Sequence, residues 1–111
     1  MEINIVEEKK YLRVKLVGHF SDQTDFDMLK NCVDKYLDSF SSIVIDISRV
    51  TFLSSRGLGI FITLSRICQE KKIDCILFCP REEILDTIQI SGIDLVVDVT
   101  DNERYIENSF R

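Results

Sequence analysis

The residues best placed to do chemistry lie in "VTFLSSRGLGIFITL", Val50 to Leu64, where two hydroxyls, a cation and two glycines separate one apolar run from another. A serine at a strand-to-helix turn is first of all an N-cap, accepting a bond from an otherwise unpaired amide. Only one of two neighbours can fill that role, so Ser54 and Ser55 divide into a cap and a free hydroxyl. A free hydroxyl at a helix N-terminus is a plausible phosphoacceptor, because the unpaired amides and the helix dipole favour added negative charge. The enzymatic alternative makes Ser55 a nucleophile, but the G-x-S-x-G frame is missing. The single histidine, His19, lies in another turn, where exposure or capping suits it better than service as a general base. No glycine-rich phosphate loop and no His/Cys cluster with metal-ligand spacing is present, so neither cofactor nor metal is expected. A receiver domain would need adjacent acids at the end of its first parallel strand, and "IDIS" supplies only Asp46.

Several elements must hold this corner in place. "INIVEE" and "YLRVKLVGHF" are β-rich runs separated by Lys9 and Lys10, which predicts an opening hairpin at a sheet edge. Phe26, Leu29, Val33, Tyr36 and Leu37 recur at helical spacing over 25–37, with Thr24 or Asp22 as the capping oxygen. "SIVIDI" is apolar on both sides, as in a central strand covered on two faces. The next helix starts at the corner and runs to about Lys71. "IDCILFC" repeats the buried-strand pattern and Pro80 ends it. "REEILDTIQISG" forms a helix stopped by Gly92, "LVVDV" is a last strand, and Asp101 caps a final helix in which Tyr105, Ile106 and Phe110 face inward. This alternation predicts an α/β fold: a mixed, mainly parallel sheet with an N-terminal hairpin and about four helices.

On a helical wheel, Gly57, Ile60, Phe61, Leu64, Ile67 and Cys68 share the inner face of the second helix. Arg56, Gly59, Thr63, Arg66 and Glu70 lie opposite. Leu58 and Ile62 form an apolar shoulder wider than a core stripe needs, which predicts an exposed contact surface. Glycine on the outer face costs about 1 kcal/mol relative to alanine, so Gly59 is either a tolerated defect or a place where another backbone comes close.

The whole chain of 111 residues is 45% hydrophobic, enough for one core, which predicts a single domain over 1–111. A net charge of -5 without a basic stripe argues against nucleic acid. No apolar run approaches the roughly 18 residues of a membrane span, and the acidic N-terminus lacks a signal-peptide pattern, so no membrane partner is expected and the chain reads as cytoplasmic. Cys32, Cys68, Cys75 and Cys79 form no C-x-x-C pair and read as buried reduced thiols, with Cys79, next to Pro80, the one candidate for reactivity.

"FLSSRGLGIF" resembles the F-M-D-S-[ST]-G-L-G-V signature of the STAS domains of bacterial anti-sigma factor antagonists. Further matches follow in order: "VGHFSDQT" to the G-E-L-D-x-x-T turn, "SIVIDISRVTF" to the central strand and the loop after it, and "ISGIDLVVDVTDNE" to the S-G-L segment and closing strand. The resemblance implies a STAS fold and partner switching: an anti-sigma factor that is also a serine kinase phosphorylates the antagonist and thereby breaks their complex. It places the phosphoacceptor at Ser55 and the partner-binding surface at Ser21, Asp22, Ser54, Arg56, Leu58, Gly59 and Ile62. A binding role rather than catalysis is implied, with a phosphatase admitted as a further partner. Two departures stand out. Ser54 and Ser21 replace family aspartates, although Asp22 still supplies a carboxylate, and Arg56 adds a cation. A STAS scaffold that is never phosphorylated is therefore the closest rival.

Overall fold

The computed structural model describes residues 1–110. Five strands, β1 (Glu2–Glu7), β2 (Leu12–Phe20), β3 (Ser42–Leu53), β4 (Asp74–Phe78) and β5 (Asp98–Thr100), lie side by side in chain order. β1 and β2 are the expected antiparallel hairpin with β1 at the edge, and every later pair is parallel. The crossovers are α1 (Gln23–Asp34), α2 (Ser55–Glu70) and α3 (Glu82–Ser91), and α4 (Glu103–Ser109) closes the described chain. A sheet that grows in one direction through right-handed crossovers carries them all on one face.

Alternation in the strands divides the apolar residues accordingly. Leu12, Val14 and Leu16 of β2 and Ile43, Ile45 and Ile47 of β3 join Leu29, Val33, Phe61, Leu64 and Ile88 of the crossover helices in the main core. On the opposite face α4 sets Ile106 over Val44, Ile76 and Phe78, beside Phe110 and Tyr11. Arg13 also points there, 6% exposed, with its guanidinium over the Phe78 and Tyr11 rings. It pairs with Asp46 at 2.8 Å and with Glu103 of α4, so the cation bridges two strands and the last helix. Asp46, the lone acid of "IDIS", is thus engaged beneath the sheet.

Several boundaries differ from the sequence reading. The first helix begins at Gln23 and ends at Asp34, because Asp22 and Asp25 form a reciprocal capping box and Tyr36 to Ser39 continue only as a turn. β3 does not stop after "SIVIDI" but continues to Leu53, since bulges in its pairing with β2 let the ladder persist to Phe20 and Leu53. The expected strand "LVVDV" is replaced by a 3-10 turn at Ile93–Leu95 and a strand that starts only at Asp98. Asn102, not Asp101, caps α4 by accepting from the Arg104 amide, and Tyr105 is exposed rather than inward-facing.

Candidate functional site at the start of α2

The corner between β3 and α2 meets the corner between β2 and α1, and both lie at the C-terminal ends of parallel strands. Ser54 joins them. Its Oγ accepts from the Gly57 amide at 3.0 Å, as an N-cap does, and donates to the Ser21 carbonyl at 2.9 Å. A carboxylate at this position could cap but could not donate, so a hydroxyl does two things here that an ionised aspartate cannot. Ser21 is fixed from its other side as well, because its amide donates to Asp25 Oδ2 at 2.9 Å. Asp22 Oδ1 in turn accepts from the Asp25 amide, leaving an exposed acid one residue from the junction.

Gly57 makes the junction close. A Cβ on it would lie 2.4 Å from the Phe20 carbonyl oxygen and 3.0 Å from Leu53 Cδ1. The first turn of α2 therefore rests directly on the backbone of β2. Gly59 contrasts with it, since an added Cβ there would meet nothing within 4 Å. This glycine forms part of a shallow groove of about 420 Å³ between α1 and α2, lined by Gln23, Phe26, Arg56, Gly59, Ile60 and Thr63.

Ser55 is the first helical residue after the cap and is exposed; among the described residues its hydroxyl has no hydrogen-bond partner. Arg56 is exposed beside it, Ser54 and Ser21 are half-buried, and Ile62 is half-buried farther along α2. Leu58 corrects the sequence reading: it is 7% exposed and belongs to the core, so the buried arc of α2 is wider than the wheel assigned. Ser65 joins the same buried arc, whereas Ile67, assigned to the inner face, is only half-buried.

Sequence reasoning missed two neighbours of the corner. Phe52 is half exposed, with the exposed His19 ring against it at 5.7 Å, so the histidine's described partner is an aromatic ring. Arg81 donates to the Val50 carbonyl at 3.0 Å and ties the start of α3 to β3. Thr51 and Phe52 are both exposed because the pairing of β2 with β3 slips between Val50 and Phe52, a bulge that no local sequence pattern signals. Cys79 is fully buried, its thiol pushed up to about 11 by burial, which removes it as a reactive group near this edge. No group of His, Cys, Asp and Glu fit to hold a metal occurs among the described residues.

The STAS domain model matches residues 3–105, and the chain belongs to that family. A comparison with curated proteins finds no match. Among solved structures, an anti-sigma factor antagonist from Mycobacterium paratuberculosis is similar at a TM-score of 0.78 and 20% identity, over 99% of this chain and 93% of the other. The antagonist SpoIIAA in its unphosphorylated form gives 0.73 and 16%, over 97% and 96%. The phosphorylated form of SpoIIAA, a Bacillus cell fate determinant, gives 0.69 and 15%, over 97% and 99%. At these identities the likeness is one of fold: a single α/β domain with a five-stranded mixed sheet and four helices.

Proposed function

We propose that this STAS domain is an anti-sigma factor antagonist that works by partner switching, with Ser55 as the phosphoacceptor. The observation that carries the reading is the division of labour at the corner. Ser54 is consumed by two hydrogen bonds, whereas Ser55, next to it, is exposed and unengaged at the first position of a 16-residue helix. A kinase that also holds the sigma factor would dock on the exposed ridge of α2, at Arg56, Gly59 and Ile62, and on the neighbouring turn at Ser21 and Asp22. Phosphate on Ser55 would place roughly two negative charges in the middle of that contact, and desolvating them would outweigh several ordinary contacts. The protein would act in the cytoplasm; no helix among the described residues is long and apolar enough to cross a membrane.

Arg56 gives this switch its own character. Arg56 follows the acceptor in the chain, is exposed and lacks an ion-pair partner among the described residues, so its long side chain is free to turn toward a phosphate on Ser55. That pairing would favour the phosphorylated state, where a corner carrying family aspartates would disfavour it. The test is intact mass after incubation with a candidate kinase, ATP and magnesium. A gain of one phosphate that disappears in Ser55→Ala supports the assignment; a gain that persists in Ser55→Ala refutes it. Binding that is equal for Ser55→Ala and Ser55→Asp would instead favour a STAS scaffold without a phosphorylation switch.

A further inference from the structure

The last turn of α2 carries one thiol to another on β4. Lys72 adopts a left-handed conformation, φ +59°, and the chain reverses there: its amide donates to the Gln69 carbonyl at 3.0 Å, and the Ile73 amide donates to the Cys68 carbonyl at 2.8 Å. These two bonds close the helix as a Schellman turn and lead the chain straight into β4. Alternation along β4 sends Cys75 and Leu77 toward the helices, in register with Ile43 and Ile45 of β3, and sends Ile76 and Phe78 to the other face. Cys68, 1% exposed, faces the same core from α2, and the Cys68 and Cys75 side chains share a hydrogen bond.

A small oxidant can reach this pair. Cys75 is half-buried and lines a surface groove of about 430 Å³ together with Ser65 and Gln69 of α2, Val96, Asp98 and Tyr105. The shared hydrogen bond draws the Cys68 thiol below its usual value, while the same bond, burial and the charge of Asp98 hold Cys75 well above its own, so one sulfur ionises ahead of the other. An ionised sulfur beside a second thiol is the arrangement in which oxidation resolves as a disulfide. We propose that Cys68 and Cys75 form a redox-modification site, oxidised by a peroxide to a disulfide that ties the last turn of α2 to β4. A thiolate of the pair attacks a peroxide oxygen; the O–O bond breaks, the departing hydroxide takes up a proton as water, and a sulfenic acid remains. The neighbouring sulfur then attacks the sulfenic sulfur: the S–S bond forms, the S–O bond breaks, and the leaving hydroxide takes the second thiol proton as water. Two thiols thus give two electrons to one peroxide, and a dithiol reductant restores them by exchange. The site lies at the end of α2 opposite Ser55 and does not depend on its phosphorylation.

Stoichiometric hydrogen peroxide, added to the folded protein, tests the site by mass spectrometry. The intact chain should become lighter by two hydrogens and return to its starting mass with dithiothreitol. After alkylation of the remaining thiols, trypsin should release peptides 67–71 and 73–81 joined to each other, and fragmentation between Leu77 and Phe78 should put the link on Cys75 rather than Cys79. Cys75→Ser, a small change at a half-buried position, should abolish the loss of two hydrogens while the circular dichroism stays that of the parent. Ser55→Ala should oxidise like the parent, which separates a failure of the phosphorylation switch from a failure of this site. An unchanged mass, added oxygen without a link, or a link through Cys32 or Cys79 would each overturn the proposal.

Discussion

The same substitution, made two residues apart in α2, should move stability in opposite directions. In Gly57→Ala the new methyl carbon would sit 2.4 Å from the Phe20 carbonyl oxygen and 3.2 Å from its carbon. Ordinary contact begins near 3.4 Å, so the overlap with the oxygen is about 1 Å, and the obstacle is backbone rather than a side chain that can swing away. Relief requires the first turn of α2 to lift from β2, which stretches the bond from Ser54 Oγ to Ser21. Overpacking of this kind costs about 1–3 kcal/mol, and loss of the strained hydrogen bond about 1 kcal/mol more. The gain in helix propensity, about 1 kcal/mol, offsets part of it. The net expectation for Gly57→Ala is a loss of about 1–3 kcal/mol, or a melting temperature lower by roughly 4–15 °C for a domain of this size. Gly59→Ala meets nothing and should keep the propensity gain, for a stabilisation of about 0.5–1 kcal/mol. Equilibrium unfolding in urea, followed by circular dichroism, measures both variants against the parent. Gly57→Ala as stable as the parent, or Gly59→Ala less stable than it, would refute the close-packed corner.

Other consequences follow from single side chains. Ser54→Ala removes both the cap and the bond to Ser21 and should destabilise the domain by about 1–2 kcal/mol in urea titration, while Ser54→Asp, which retains the cap but cannot donate, should lose less. Arg13→Met strands the buried Asp46 carboxylate without its cation and should cost about 3–5 kcal/mol in urea titration, more than Asp46→Asn, which leaves Arg13 paired with Glu103. Iodoacetamide at pH 8 should leave Cys79 unmodified in the folded protein, as read by peptide mass mapping. The Cys79 thiol ionises near pH 11 when folded and nearer its usual value when unfolded, so the unfolded chain releases its proton first. Stability contributed by this group is therefore complete below the usual thiol value and is lost as the pH rises toward 11, a decline that Cys79→Ala should lessen in denaturation midpoints measured from pH 8 to 11.

Sequence periodicity was sufficient for the hairpin, the mainly parallel pairing and the three crossover helices, because each is encoded by a local pattern of apolar residues and by caps such as Asp22 and Gly92. Signature and spacing together singled out the "LSSRGLG" corner. What lay beyond them depends on contacts between distant segments. Both serines are plausible caps by type, and only the approach of the Ser21 carbonyl engages Ser54 and leaves Ser55 free. A helical wheel fixes the angle of Leu58 but not the breadth of the surface against it, so a residue on the calculated shoulder lies in the core. Arg13 is a polar position in an alternating strand, and nothing local announces that α4 will fold over it and bring Glu103 to its guanidinium. "LVVDV" has the composition of a strand, but β4 offers β5 only the partners Ile76 to Phe78, and Leu95 and Val96 remain outside. Local pattern specifies which way a side chain points along its own element; whether that direction leads to core, to a partner atom or to water is decided by what the rest of the chain brings there.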